Sequence, residues 1–437
     1  MISFKKNRRI RMKKTLVSIA AASLIVTSAM AADKGIDIVT TGQAVVYYET
    51  NTNDADASDT ELFDRGSSKA NVGIQLNLDA DLKNGFTFGS QLSYLGTAGL
   101  EGNLVSDTVQ YNGTKLDDSS ISEQIALSKI FIAKKIANTT VKIGRQELPK
   151  SLSPFAFSEG WSVFKNTFEA ILAVNSDIPD TTLVGAYVTA GNTAGNTASF
   201  ATFDNTAGVD GTQSGGIYML TAQNKSIPMT TVTATYYDAA NLVADASDNN
   251  QTAGASVMWL DVKVASKDLP MGLNFGLQAG TVASEAKQDS SAATYDDTSA
   301  YGLKVGMKPI KALALSAAYT SVNDGTTGIV NLITGNKTPL YTQMIANQSL
   351  IYQDNNTMML KGVYNTGDYG KIIAVASMTD DASSADVDYT EFDLAYKIKA
   401  GNVNYLAAYV HQTWDRASGS TAKESADKIR LVARYNF

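Results

Sequence analysis

The ten residues from Lys428 to Phe437 constrain this chain more than any others. Ile429, Leu431, Ala433, Tyr435 and Phe437 alternate with Lys428, Arg430, Val432, Arg434 and Asn436. Period-two alternation places one set of side chains on each face of a strand, one face suited to an apolar medium and the other to a polar one. A helix would need its apolar positions three and four residues apart.

The same alternation recurs along the chain. Val72, Ile74, Leu76, Leu78, Ala80 and Leu82 oppose Asn71, Gly73, Gln75, Asn77, Asp79 and Asp81, and Lys83-Asn84-Gly85 turns the chain into Phe86, Phe88, Leu92 and Tyr94. An Asn-Gly pair between two such runs predicts a tight hairpin. Further strand pairs are predicted at 125–134 with 139–145, 168–174 with 182–189, 217–223 with 229–237, and 257–264 with 273–281. Others follow at 301–307 with 313–321, 358–364 with 371–378, and 392–398 with 403–410. With 42–48 and 428–437 the total is about eighteen strands, an even number within the range of membrane barrels.

The connections alternate in length. Short turns lie at 83–85, 136–138, 175–180, 224–228, 266–270, 308–311, 365–369 and 399–402, and between them come longer segments such as 49–68, 97–122, 191–215, 282–299 and 322–356. All seven prolines, Pro149, Pro154, Pro179, Pro228, Pro270, Pro309 and Pro339, fall in the connections, as expected of a residue that cannot donate to a ladder. Aromatics collect toward strand ends, at Tyr47, Tyr48, Tyr94, Tyr187, Tyr236, Tyr237, Tyr319, Tyr364, Tyr405, Tyr409, Tyr435 and Phe437, as in interfacial girdles.

The N-terminal segment predicts export. Seven basic side chains between Lys5 and Lys14 precede the apolar stretch 16–26, and Ala29-Met30-Ala31 offers small residues around a cleavage point. This is the pattern of a secretory signal peptide over 1–31, leaving 32–437 as one barrel domain. The apolar run is shorter than the roughly 20 residues a spanning helix needs. No other long apolar run exists, so a membrane span has to be built from alternating strands closed into a barrel.

Removing residues 1–31 takes the net charge from −7 to −14, which argues against nucleic acid as a partner. Cysteine is absent, so neither disulfides nor thiolate chemistry is available.

One connection stands apart. After Gly144-Arg145-Gln146-Glu147-Leu148 come Pro149, Lys150, Pro154, Phe155, Phe157, Glu159, Trp161, Phe164 and Lys165, and a strand resumes at Asn166-Thr167-Phe168-Glu169. A loop so apolar does not suit open water and is expected to fold into the lumen, where Glu147, Lys150, Glu159, Trp161, Lys165 and Glu169 would form a constriction. The alternative is packing on other outer loops or on a second subunit.

These two stretches resemble the corresponding region of OprD-like porins and the major outer-membrane porins of Campylobacter-type bacteria. That resemblance implies an all-β transmembrane antiparallel barrel of eighteen strands with an inward-folded third extracellular loop, commonly a homotrimer in the bacterial outer membrane, in contact with lipid and lipopolysaccharide. It also makes a structural calcium conceivable. Where those families often have Arg and Pro before Thr-Phe-Glu and then Gly, this chain has Phe164, Lys165, Asn166 and Ala170, which favours a general diffusion pore over close substrate selectivity.

If Ile429 and Leu431 face lipid, strand parity turns Lys428, Arg430 and Arg434 inward, and with them Lys142, Asp261, Lys263, Lys304, Lys361, Glu391, Asp393 and Lys397. Arg145 joins this pore-lining set as the residue entering the loop. The acidic outer loops and the net charge lean toward cation preference. Asp54, Asp56 and Asp59, with Glu61 and Asp64, offer hard oxygens for calcium but lack EF-hand spacing and glycine. His411 is the only histidine and reads as a structural residue without a catalytic partner.

The expectation is therefore a non-enzymatic porin without cofactor, passing ions and small hydrophilic solutes. The alternatives are an adhesive or structural barrel whose long loops bind partners, and a barrel hydrolase using His411.

Overall fold

The computed structural model describes residues 36–52, 61–110, 124–160, 162–192, 204–205, 216–244, 252–285, 296–332, 337–381, 387–416 and 424–437. The predicted signal peptide and Asp54, Asp56, Asp59 and Trp161 lie outside the described residues.

Eighteen strands form the wall. They are β1 (Asp37–Asn51), β2 (Ser68–Lys83), β3 (Phe86–Gly96), β4 (Gln124–Ile136), β5 (Thr139–Gln146), β6 (Phe168–Asn175), β7 (Thr181–Gly191), β8 (Ile217–Asn224) and β9 (Thr230–Ala244). The second half comprises β10 (Thr252–Ala265), β11 (Asn274–Glu285), β12 (Thr298–Ile310), β13 (Leu313–Val322), β14 (Asn355–Asn365), β15 (Lys371–Asp381), β16 (Val387–Ala400), β17 (Val403–Arg416) and β18 (Glu424–Asn436). Each pairs antiparallel with its neighbours in sequence, and β18 returns to β1 with Tyr48 opposite Leu431 and Val46 opposite Ala433. The sheet is thus a closed barrel, with Asp204–Asn205 adding a two-residue pairing to β7. All the predicted strand pairs are present. Most run farther toward the long-loop end than predicted, so that Glu49, assigned by sequence to a loop, belongs to β1.

The exterior is apolar. Leu431 is 43 % exposed, and Ile132, Ile143, Ile171, Leu220, Met258, Leu277, Leu303, Leu360 and Leu394 on other strands are exposed likewise. Burying such residues in water-free surroundings is favourable, whereas exposing a continuous band of them to water is not. Tyr236, Tyr301, Tyr364, Tyr396, Tyr405 and Tyr435 are exposed among them. Three members of the predicted girdle are buried instead: Tyr47, Tyr94 and Tyr237 are 2 %, 8 % and 0 % exposed, and Tyr47 and Tyr237 point inward.

Turn chemistry sets the short ends. Asn84 and Gly85 have φ of 51° and 77°, the left-handed pair that a two-residue hairpin requires and that Gly adopts without strain. Six prolines lie in connections, but Pro309 lies inside β12. It sits where the pairing slips from Met307–Leu315 to Ile310–Leu313, a bulge that asks no ladder hydrogen bond of it.

A second bulge changes which side chains face inward. Between Gln91 and Leu92 of β3 the β4 partner skips from Lys129 to Leu127, leaving Ser128 extra. Ile125 and Leu127 face out before it, Ile130 and Ile132 after it, so Lys129 turns into the lumen.

Candidate functional site

Residues 147–167, the third of the long connections, cross the barrel interior. Leu148, Phe155, Phe157, Val163 and Phe164 are buried. Phe155 packs edge-on against Trp259 of β10 at 5.2 Å and Tyr237 of β9 at 5.8 Å between ring centroids. The Tyr237 hydroxyl accepts from Phe155 N at 3.1 Å, and Thr221 Oγ1 of β8 donates to Leu152 O at 2.8 Å. On the returning half, Phe164 N donates to Gln110 Oε1 at 2.9 Å, and the Phe164 ring lies so close to Gly73 that a Cβ there would come within 2.5 Å of it. Glycine at 73 makes room for the loop on the wall of β2.

The charges of this loop are committed to neighbours. Glu147 meets Lys165 at 2.9 Å and also pairs with Lys129. Burial would raise the Glu147 carboxyl, but the two ammonium groups outweigh it and hold it below the usual carboxylate range. Lys150 reaches Thr338 O at 2.7 Å and lines the larger cavity, and desolvation pushes its ammonium down to about 8. Glu159 is buried and accepts from Asn331 Nδ2 at 2.9 Å.

Those last contacts lead to a second inward loop that the sequence reading took for an outer polar segment. Within residues 323–354, Ile329, Leu340 and Ile351 are buried in the same apolar cluster as Phe155. Leu332 N donates to Phe155 O at 2.8 Å, so the two loops form one plug. This seventh loop is pinned to the far wall: Tyr341 OH donates to Asp261 Oδ2 at 3.1 Å, Ala346 N to Glu391 Oε1 at 2.9 Å and Ile345 N to Asp393 Oδ2 at 3.3 Å. Gly276 lies beneath the Tyr341 ring, where a Cβ would meet the phenol oxygen at 2.7 Å. Lys337, nine-tenths buried, donates to Met344 O, Ile345 O and Gln348 Oε1 at 2.9–3.2 Å, and burial pushes its ammonium down to about 7.

Among the described residues, two cavities lie beside the plug. The larger, about 1670 Å³, is lined by Lys150, Lys225, Lys263, Lys304, Lys361, Lys371, Lys397, Lys399, Arg430 and Arg434, against Asp261, Asp368 and Asp393 as the acidic residues. The smaller, about 600 Å³, is lined by Lys129, Lys142, Glu147, Lys165 and Asp79 with the amides Gln43, Gln75, Asn77 and Gln91. Gly160, Ser162 and Arg434 border both. A wall with ten basic and three acidic side chains presents a positive field to whatever enters the larger cavity, opposite to the lean toward cations taken from net charge.

Other predicted residues sit elsewhere. Glu391 is buried behind the seventh loop and also accepts from Tyr389 OH at 2.6 Å. Lys428 approaches Glu49 at 3.5 Å, in a cluster where Glu49 also meets Arg430 at 2.8 Å and Lys69 at 3.4 Å. Arg145 and Glu169 are corrections: they pair at 2.6 Å beside Ile130 and on the same face as Ile143 and Ile171, on the outside of the barrel. Parity could have shown this, because Lys142 and Arg145 are three residues apart and cannot share a face of one strand. His411 does have a partner: Nδ1 lies 2.8 Å from Asp427 Oδ1, which also accepts from Tyr409 OH at 2.6 Å, on the exterior face.

Lys129, Glu49 and the seventh loop were missed. The phase change from Ile125/Leu127 to Ile130/Ile132 signals the first. For the loop, Ile329, Leu332, Leu340, Met344, Ile345 and Ile351 are more apolar side chains than an outer loop in water accommodates.

No protein-family model matches the chain, and no curated protein matches it. Solved structures of outer-membrane porins of the Occ/OprD family do share its fold. Acinetobacter baumannii OccAB3 aligns over 92 % of this chain and 99 % of its own at a TM-score of 0.69 and 16 % identity. Pseudomonas aeruginosa OccK8 (OprE) covers 92 % and 98 % at 0.67 and 14 %. Pseudomonas aeruginosa OpdK, solved with vanillate, covers 91 % and 98 % at 0.65 and 12 %. The likeness is one of fold: a closed eighteen-strand barrel.

Proposed function

We propose that this chain is an outer-membrane porin, a water-filled channel through which ions and small hydrophilic solutes diffuse passively, with no catalytic step. The observation that carries the reading is the combination of an apolar exterior with a charged lumen narrowed by two loops pinned across it. A barrel of eighteen strands is wide enough to leave an aqueous path unless loops fill it, and here the third and seventh loops fill only part. The basic wall of the larger cavity favours anionic over cationic solutes. In this reading residues 1–31 direct export, the exterior meets lipid and lipopolysaccharide, and the barrel assembles as a homotrimer.

Planar-bilayer recording of the purified protein tests this directly. Discrete current steps with a reversal potential displaced toward the anion are expected in a salt gradient. A folded, inserted protein that conducts no current would instead favour the adhesive-barrel reading.

A further inference from the structure

Five consecutive short turns, closing β4–β5 through β12–β13, each hold a large apolar side chain in solvent. Ile136, Ile178, Ile227, Met271 and Ile310 are 51–61 % exposed. Two of these turns repeat one design. In Asn175-Ser176-Asp177-Ile178-Pro179-Asp180-Thr181, Asp177 N donates to Asn175 Oδ1 at 3.0 Å, Thr181 N to Ile178 O at 3.1 Å and Thr181 Oγ1 to Pro179 O at 3.1 Å. In Asn224-Lys225-Ser226-Ile227-Pro228-Met229-Thr230 the equivalent bonds are Ser226 N to Asn224 Oδ1 at 3.0 Å, Thr230 N to Ile227 O at 3.0 Å and Thr230 Oγ1 to Pro228 O at 3.2 Å. An Asx turn followed by a fixed proline holds the isoleucine at the tip.

The turns are also fastened side by side. Ser176 N donates to Asn138 O at 3.1 Å, Lys225 N to Asp180 O at 2.8 Å and Ala265 N to Met229 O at 2.9 Å. These bonds join the first four turns into one rim, and the fifth, at Ile310, follows through the pairing of β11 with β12. Exposed lysines flank four of its tips, Lys135, Lys225 (which also lines the larger cavity), Lys267, and Lys308 with Lys311, and they outnumber the exposed Asp177, Asp180 and Asp268 on the same turns. The next turn, 365–370, carries Tyr369, 77 % exposed, whereas those at Asn84-Gly85 and Gly401-Asn402 carry no such apolar tip. The rim is therefore apolar and basic along one arc and polar on another.

We infer that this arc is a lipid-anchoring surface that dips into the headgroup layer of an anionic phospholipid leaflet, apolar tips toward the acyl chains and lysines toward the phosphates. It rests on the membrane-barrel reading above. Two features select lipid as the occupant: the tips lie at the ends of strands whose outer faces are apolar, set off from them only by single polar residues such as Lys134, Asn175 and Asn224, and the ammonium groups match anionic headgroups. An amphipathic surface of this kind gains from buried apolar area and from charge attraction together.

The absence of cysteine makes the test clean. Single variants Ile178→Cys, Ile227→Cys and Met271→Cys, with Leu360→Cys as a belt control and Asn402→Cys as a polar-rim control, are spin-labelled in vesicles of phosphatidylethanolamine and phosphatidylglycerol. Collision with oxygen and with a water-soluble nickel complex is then measured. Tip labels should favour oxygen over nickel, as the belt control does, while the label at 402 favours nickel; the tips should regain nickel access in phosphatidylcholine vesicles or with Lys267→Gln/Lys311→Gln. Nickel-accessible tips beside a lipid-accessible belt control overturn the anchor alone. A nickel-accessible belt control overturns the membrane reading itself. Immobile tip labels reached by neither reagent mean a protein contact, and also overturn the proposal, as does insensitivity to lipid charge.

Discussion

Arg434 joins the barrel wall to the third loop: its Nη2 donates to Val163 O at 2.9 Å while Nη1 donates to Gln43 Oε1. One guanidinium thus stands between the two cavities as a strut, with five donors in a planar fork suited to bridging fixed acceptors.

Replacing Arg434 with Met should join the two cavities and free the returning half of the loop. Single-channel conductance and open-channel noise are both expected to rise. Conductance equal to that of the unaltered protein would mean that the current does not pass this strut.

Exchanging Lys150 and Lys165 for Glu reverses two charges on the loop that borders both cavities. Reversal potentials in a salt gradient should move toward cation preference. Lys165→Glu also removes one of two partners of Glu147, so the single Lys150→Glu variant separates the field effect from loop loosening.

The ammonium groups of Lys150 and Lys337 lie at about 8 and about 7, below the 10.5 of a free lysine. Both are charged at pH 6, so anion preference should be largest there and decline as pH rises through 7 to 8. Stability runs the other way. The folded state binds fewer protons than the unfolded one between the lowered value of Lys337 and 10.5, so burial of this lysine penalises folding most below pH 7, and the penalty lifts as pH rises. Lys337→Met should flatten the lower limb of the selectivity profile; an unchanged profile would count against Lys337 as its source.

Tyr237→Phe removes the acceptor of Phe155 N while keeping the ring that packs on Phe155. An orphaned buried amide costs about 1–3 kcal/mol. The expected outcome is a lower unfolding midpoint for the detergent-solubilised barrel, together with noisier open-channel current.

Leu431→Arg places a charge on the apolar exterior, beside Tyr48 on the seam. Near the bilayer midplane this should cost about 2–4 kcal/mol in an equilibrium folding titration into vesicles. Unperturbed folding would contradict the assignment of Leu431 to the lipid face.

Most of the wall was legible in the sequence because a strand writes its two faces into alternate residues. Val72 to Leu82, the Asn84-Gly85 turn and the run from Lys428 to Phe437 each carry their own phase. What alternation cannot carry is a change of phase without a change of composition: the extra Ser128 turned Lys129 inward, and Pro309 was tolerated inside a strand only because a bulge freed its position. The third loop was legible through its phenylalanines and prolines. The seventh was not, since its apolar side chains are dispersed among Asn, Thr and Gly and become a cluster only when Phe155 lies beside Ile329 and Leu340. The basic wall escaped net-charge reasoning for a related reason: it is assembled from single lysines on β10, β12, β14 and β16, diluted in the total by acidic residues elsewhere.

The pairing of β1 with β18 has a kinetic consequence. Tyr48 and Leu431 are nearly the whole described chain apart, so closure rests on the most distant contacts the polypeptide can make, and contacts of large sequence separation form slowly. Until they form, the sheet has two open edges with a full row of unmet backbone donors and acceptors, which are templates for mispairing with another chain. Assembly of this barrel should accordingly be limited by the meeting of its two ends, and a helper that holds one edge while the other arrives would act on the slowest step.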